Sequence, residues 1–391
     1  MEKKIKDMFV LENQEKKGGL IMEEKYPGLG IIATEGSKLF AQRVNEILDE
    51  WDESGDRNYM ISSICPRFGS GEAKANIKES IRGKDIYIFV DVTNSSITYR
   101  MGEYENHMSP DDHYQDLKRL IGACNGKAKR ITVIMPFLYE GRQHRRTSRE
   151  SLDCAMMLHE LANMGVSDII TFDAHDPRVQ NAIPINSLEN VRPVYQVMSS
   201  LLNEVKDITI NDDNLMIVCP DEGASERAIY LANVLGVNIG MFYKRRDYSQ
   251  IIDGRNPIIA HDFIGTSVEG KDIIVIDDMI SSGDSMIDVA KQLKDKGARR
   301  IFVNATFGLF TNGMEKFDKA VADGIIYKVL TTNLIYQKPE LLTRDYYINV
   351  DMTEYTAALI SNLNRDMSIS ELISPEKRLK ELVDKYNVNK N

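Results

Sequence analysis

The chain has 391 residues and a formal net charge of −10, from 49 Lys plus Arg against 59 Asp plus Glu, which leaves room for two or three domains at roughly 150 residues each. Hydrophobic residues at 42% and charged residues at 28% exclude a largely disordered chain, and the acidic balance excludes general binding to nucleic acid or anionic membrane unless basic residues gather locally. Four cysteines (Cys65, Cys124, Cys154, Cys219) without a CxxC pair, a charged start with no secretory apolar region, and no run near the ~20 residues of a membrane span point to a reducing cytoplasm.

Along the chain, β-rich apolar runs at Ile86 to Val90, Ile131 to Met135, Asp168 to Phe172, Leu215 to Cys219, Ile273 to Ile276 and Ile301 to Ala305 alternate with helically spaced stretches. That order predicts an α/β protein with mainly parallel sheets. Ser151 to Met164 places Leu152, Ala155 and Met156 on one helical face, and Asp284 to Lys296 does the same with Met286, Val289, Ala290 and Leu293. Lys84-Asp-Ile-Tyr-Ile-Phe-Val-Asp91 echoes Lys271-Asp-Ile-Ile-Val-Ile-Asp-Asp278, and Lys129-Arg-Ile-Thr-Val133 echoes Arg299-Arg-Ile-Phe-Val303. Repetition in the same order suggests two related domains, 30–188 and 189–374, joined near Pro184 to Pro193, with 1–29 and 375–391 as peripheral or frayed extensions.

The segment richest in chemistry is Ile273-Ile-Val-Ile-Asp-Asp-Met-Ile-Ser-Ser-Gly-Asp-Ser285, an apolar strand ending in two carboxylates and followed by a small-residue loop into a helix. Backbone N–H groups of Ser281 to Ser285 at a helix N-terminus suit a phosphate, and Asp277 and Asp278 stand about one sugar length away as acceptors for a ribose diol. A capped turn with two solvated aspartates is the alternative. Arg142, Arg145, Arg146 and Arg149 put four guanidinium groups within eight residues, which suits a triphosphate or a solvated basic turn. Asp173 and His175 alternate at the end of a predicted strand, an arrangement that would point both side chains the same way. Lys244 and Arg246 fall in a stretch running to Asp253 that reads as a mobile loop. No Walker A spacing occurs at Gly30 to Lys38, and His159-Glu160 lacks the second His of a zincin.

The loop at Asp277 to Ser285 resembles the phosphoribosyl diphosphate (PRPP) signature of phosphoribosyltransferase-fold proteins. Further segments resemble the ribose-phosphate pyrophosphokinase (PRPP synthetase) family: Arg67-Phe-Gly-Ser-Gly-Glu72, Ser80-Ile-Arg-Gly-Lys-Asp-Ile86, Met135-Pro-Phe-Leu-Tyr-Glu-Gly-Arg-Gln143, Asp173-Ala-His175, Val218-Cys-Pro-Asp-Glu-Gly223 and Tyr243-Lys-Arg-Arg246, in family order. The resemblance implies two tandem phosphoribosyltransferase-type domains and pyrophosphoryl transfer from MgATP to ribose 5-phosphate, yielding PRPP and AMP. It implies ATP contacts at Phe68, Ser70, Glu72, Arg142 and Gln143. Ribose 5-phosphate contacts fall at Asp277, Asp278, Ser281, Ser282, Gly283, Asp284 and Ser285. Mg²⁺ ligands are implied at His175, Asp221 and Asp173, and catalytic cations at Lys244 and Arg246. The chain departs from the family at Ser70, usually Asp, at Asp284 and Ser285, commonly Gly and Thr, and at Asn181 to Asn186, often more acidic. The family assembles as homo-oligomers built from dimers, up to hexamers, in which the adenine loop reaches a neighbouring subunit. No nucleic-acid or membrane partner is implied. Two other readings share the fold: a non-catalytic regulatory homologue, and a phosphoribosyltransferase that consumes PRPP.

Overall fold

The computed structural model describes residues 25–52, 57–246 and 258–388. In chain order the elements are β1 (Leu29–Ala33), α1 (Lys38–Trp51), β2 (Ser63–Ile64), β3 (Asn76–Ile77), β4 (Asp85–Phe89), β5 (Thr98–Met101), β6 (Tyr104–His107), α2 (Pro110–Cys124), β7 (Arg130–Ile134), α3 (Asp153–Asn163), β8 (Asp168–Phe172) and β9 (Ser187–Val191). Then follow α4 (Val194–Glu204), β10 (Leu215–Cys219), α5 (Ser225–Leu235), β11 (Asn238–Arg246), β12 (Ile258–Ile264), β13 (Asp272–Ile280), α6 (Asp284–Asp295), β14 (Arg300–Gly308), α7 (Glu315–Ala322), β15 (Lys328–Thr332), β16 (Tyr347–Val350), α8 (Thr353–Asn364), α9 (Ser370–Ile373) and α10 (Glu376–Val388). Short 3-10 turns at Glu35–Ser37, Pro177–Ala182, Glu222–Ala224 and Leu341–Thr343 complete the list.

Two compact units result. The first takes residues 1–192, Asn333–Tyr336 and Asp351–Ser374, and the second takes Pro193–Thr332, Gln337–Val350 and Pro375–Asn391. The first sheet has the order β1-β4-β7-β8-β9, all parallel. The second has the order β12-β11-β10-β13-β14-β15-β16, parallel except for the antiparallel pair β11 and β12. Every residue of β1, β4 and β10 is buried, as expected of parallel strands covered on both faces, so their sequences are continuous apolar runs. Local signals close the helices: Ser109 and Asp112 form a reciprocal capping box ahead of α2, with Pro110 at the first helical position, and Gly236 ends α5 at φ 66°.

The internal echo in the sequence is a repeated geometry. In the first unit Gly83 N–H donates to Lys127 O (2.9 Å), Lys84 N–H to Ile81 O (3.1 Å) and Lys129 N–H to Lys84 O (2.8 Å). In the second unit Gly270, Lys271 and Arg299 donate to Gly297, Val268 and Lys271 at the same three distances. Asp85 faces Arg130 across β4 and β7, as Asp272 faces Arg300 across β13 and β14. Each arginine grips its aspartate with two nitrogens, at 2.8 and 2.6 Å in the first unit and 3.0 and 2.7 Å in the second. Asp272 is fully buried and also accepts from Arg299. Burial acts to raise its carboxyl, but Arg300 and Arg299 outweigh burial and hold it below the usual range. Asp272→Ala is therefore expected to cost ~1–3 kcal/mol, because Arg300 loses its buried partner and keeps only the exposed Asp207 (2.8 Å). Urea unfolding measures this, and a loss under about 1 kcal/mol would contradict the paired-charge account.

Three expectations are corrected by the fold. Residues 351–374 belong with the first unit rather than with the domain they follow, because α8 packs on α1 and Asn364 Nδ2 donates to Asp85 (2.9 Å). The extension after Ser374 is not frayed along α10, which packs on α4 and α5, buries Leu379 and bonds Tyr386 Oη to Val205 O (3.0 Å). At the other end Tyr26 is fully buried, its ring edge-on to Tyr59 at 5.6 Å.

Candidate active site

In an open α/β sheet, ligands gather at the carboxyl ends of strands where the strand order reverses direction. The second sheet has such a point between β10 and β13: later strands run to β12 on one side and to β16 on the other. Asp221 follows β10 there, and Asp277 and Asp278 lie near the end of β13. Asp278 is buried, its N–H donates to Asp277 Oδ1 (2.9 Å), and Arg227 Nη2 lies 4.0 Å from its Oδ2. Asp221 Oδ1 accepts from Gly223 N–H (3.0 Å) and caps the turn that leads into α5. Burial first, then the charges of Asp278 and Asp221, push the Asp277 carboxyl well above its ordinary range. Three carboxylates are thus brought together here, with Arg227 beside Asp278.

The loop after β13 turns on Gly283, at φ 83°, directly before α6. A Cβ there would sit 2.7 Å from Phe317 Cζ and closer still to Cε2, so only glycine fits between the loop and α7. Thr311 N–H supports the loop from behind by donating to Ser281 O (3.0 Å). Asp284 is exposed and ion-paired with Lys316 of α7, which holds its carboxyl below the usual value. Its negative charge is therefore matched by a neighbouring ammonium, while Ser281, Ser282 and Ser285 surround the helix N-terminus.

In the first unit Tyr59 to Ile61 pairs parallel with β1 on the edge away from β4, and the position that matches Asp278 is filled by protein. The step along β4 that matches Asp278 reaches Asp91, also 3% exposed. Asp91 accepts from Thr93 N–H (2.8 Å), Thr93 Oγ1 (2.7 Å) and Tyr336 N–H (2.6 Å). Asn94 Nδ2 donates to Gly36 O (2.8 Å), and His113 Nε2 lies 2.8 Å from Asn94 O.

What the first unit presents instead are loops. Phe68 N–H donates to Glu72 O (2.7 Å) and Gly71 N–H to Phe68 O (2.9 Å), making a tight turn that leaves the Phe68 ring half exposed. Ser70 Oγ donates to Glu72 Oε2 (2.9 Å). After β7, Arg142, Arg145, Arg146 and Arg149 are exposed, while Gln143 Nε2 donates to Ser151 O (2.9 Å) and closes their loop. After β8 the expected alternation fails: Asp173 is buried and left-handed at φ 40°, so it and His175 do not share an extended segment. The His175 ring instead lies 5.6 Å from that of His144, whose Nε2 is 3.2 Å from Asp176 Oδ2. Arg178 holds the Asp176 carboxyl down at about 2.

Lys244 and Arg246 lie on strand rather than loop. β11 continues through Arg246 because β12 pairs with it, Lys244 opposite His261 and Arg246 opposite Ile258. Their side chains and residues 247–257 lie outside the described residues. Among the described residues, no set of three or more His, Cys, Asp or Glu side chains is arranged around a metal position, and no helix is long and apolar enough to cross a membrane. Sequence reasoning missed His144, Arg227 and Lys316. His144 directly follows Gln143 and so carried a positional signal, whereas Lys316 meets Asp284 only through the packing of α7.

Two family models match. Residues 29–165 match the N-terminal domain of ribose phosphate pyrophosphokinase, and residues 184–321 match the phosphoribosyl transferase domain. A ribose-phosphate pyrophosphokinase of Vibrio cholerae is 27% identical over 345 residues, spanning 86% of this chain and 99% of that protein. That of Aquifex aeolicus is 27% identical over 309 residues, 78% of this chain and 89% of its own. The crystal structure of a phosphoribosylpyrophosphate synthetase from Mycobacterium smegmatis superposes with a TM-score of 0.71 at 21% identity, over 87% of this chain and 99% of that one. The doubly built parallel-sheet fold is thus shared.

Proposed function

This chain belongs to the ribose-phosphate pyrophosphokinase family, and we propose that it transfers the β,γ-pyrophosphoryl group of ATP to the C1 hydroxyl of ribose 5-phosphate, giving PRPP and AMP. The observation that carries this reading is that the aspartate pair and Gly283 loop of the second unit occur in one chain with the pyrophosphokinase N-terminal domain. A transferase that merely consumes PRPP has no use for that first domain.

In this reading the N–H groups and hydroxyls of Ser281, Ser282, Gly283, Asp284 and Ser285 hold the 5-phosphate at the start of α6. Asp277 and Asp278 accept from the ribose hydroxyls and orient C1. Phe68 stacks on adenine, Ser70 and Glu72 bind its edge, and Arg142 and Gln143 hold the triphosphate. The C1 hydroxyl attacks the β-phosphorus, the bond from that phosphorus to the α,β-bridging oxygen breaks, and AMP departs with the bonding pair. Transfer of this kind depends on positioning and on stabilising phosphate charge, the work given to Lys244 and Arg246.

Mg²⁺ suits the second unit's donors, which are carboxylate oxygens, the Asp277 carboxyl being raised by burial and by the charges of Asp278 and Asp221. In the second unit Asp221 would be a Mg²⁺ ligand and, taken separately, Asp173 and His175 would be ligands in the first; bound Mg²⁺ would neutralise phosphate oxygens. The protein is read as a cytoplasmic homo-oligomer built on dimers.

Incubation with ribose 5-phosphate, Mg²⁺ and ATP is expected to yield AMP and PRPP in equal amounts by chromatography. ADP in place of AMP, or no PRPP from folded protein, would overturn the reading. Lys244→Ala is expected to lower turnover about 10²-fold with ATP affinity kept. Unchanged turnover would remove Lys244 from the chemistry.

A further inference from the structure

The hairpin formed by β5 and β6 has no role in the reading above, yet it touches the adenine loop at several points. Its two-residue turn, Gly102-Glu103, opens with Gly102 at φ 62°, as a II′ turn requires of that position. Gly102 N–H donates to Gly69 O (3.2 Å), from the tip of one turn to the tip of the other. Met101 Sδ lies 3.1 Å from where a Cβ on Gly71 would stand, so the hairpin packs against bare backbone of the loop. At the root of the loop, the Arg67 guanidinium lies 4.9 Å from the centre of the Tyr99 ring and donates to Asp116 Oδ2 (3.0 Å). Arg67 is therefore held from two sides, by an aromatic face and by a carboxylate, directly before Phe68. The hairpin is itself tied down by Met108 N–H to Ile97 O (2.8 Å) and by Thr98 Oγ1 to Glu105 Oε1 (2.8 Å).

A short turn with an exposed aromatic ring would sample many orientations if it were anchored only at its ends, and each would lower the affinity of that ring for a flat base. We propose that the Thr98–His107 hairpin is a brace that fixes the Arg67–Glu72 turn, with Tyr99 and Met101 as positioning residues for the Phe68 ring. The effect on nucleotide affinity rests on the assignment of Phe68 to adenine, whereas the brace itself does not.

The closing experiment reads the two separately. In Tyr99→Ala, amide hydrogen exchange at Phe68 and Gly71 is expected to accelerate at least about tenfold, the scale of losing one cation–π contact. KM for ATP is expected to rise about tenfold, while KM for ribose 5-phosphate and kcat stay within about twofold, and Tyr99→Phe restores both readouts. Unchanged exchange in the loop overturns the brace. Faster exchange with unchanged KM for ATP keeps the brace and overturns its link to the nucleotide, and a wild type that makes no AMP or PRPP overturns the functional reading alone. Should Tyr99→Ala fail to fold, Met101→Ala, whose side chain is 41% exposed, makes the same test without opening the core.

Discussion

Gly283→Ala is expected to lower kcat/KM for ribose 5-phosphate by about 10²–10³ and to destabilise the second unit by ~2–5 kcal/mol. Two costs add. Any L-residue at φ 83° pays roughly 1–2 kcal/mol for the left-handed conformation. The new methyl also overlaps the Phe317 ring, and overpacking of that kind costs about 1–3 kcal/mol. Relief can come only by moving α7 or the loop. If α7 moves, Lys316 leaves Asp284 and its carboxylate is freed beside the phosphate position. If the loop moves, the N–H groups of Ser281 to Ser285 no longer converge. Either response weakens phosphate binding, so KM should suffer more than kcat. The double variant Gly283→Ala with Phe317→Leu separates the two costs: the overlap is relieved and the conformational strain stays, so stability returns only in part. Full recovery of stability would show that φ carries no penalty, and no loss in the single variant would show that the loop does not depend on a bare Cα.

The fold was legible where its cause was local. Continuous apolar runs marked β4, β7, β8, β10, β13 and β14 to within a few residues, and the Lys84-Asp85 and Lys271-Asp272 pairs announced a repeated start of strand because each aspartate must meet an arginine one strand away. The loop Asp277 to Ser285 was legible for the same reason, since strand, turn and helix start are contiguous. What escaped depends on residues distant in sequence. Lys244 and Arg246 read as loop, and only the pairing of β11 with β12 places them on strand. The return of α8 to the first unit is fixed by contacts with α1 and Asp85, none of which its own apolar pattern specifies. Asp173 leaves β8 with a left-handed φ of 40° that its own sequence does not announce, while its N–H still bonds Val191 O (2.9 Å). Ahead of α6, Asp284 departs from the family pattern, and its partner Lys316 comes from α7, 32 residues on, so the sequence does not show the pair.

Asp277→Asn is expected to cost about 10²–10³ in turnover and, without ligands, to make the protein more stable at neutral pH. The first part follows from losing a charged acceptor that orients the ribose in a preorganised site. The second follows from the raised carboxyl. In the unfolded chain Asp277 gives up its proton near the usual value of about 4. In the folded protein burial and the charges of Asp278 and Asp221 delay that loss. Between the two values the folded state holds the extra proton, so stability falls as pH rises and is recovered as pH returns toward about 4. Asparagine removes this fall. Thermal unfolding of the metal-free protein from about pH 4 to pH 8 should therefore show a Tm advantage for Asp277→Asn that grows with pH and vanishes in acid. Mg²⁺ should narrow the gap by stabilising wild type more, because it compensates a charge the variant lacks. Parallel pH profiles for the two proteins would mean that the three carboxylates do not repel, and the case for a cation among them would fall with that result. A growing gap joined to lost activity would mean that the site is held in an unfavourable state of charge which its ligands relieve, so that binding strength and apo instability share one cause.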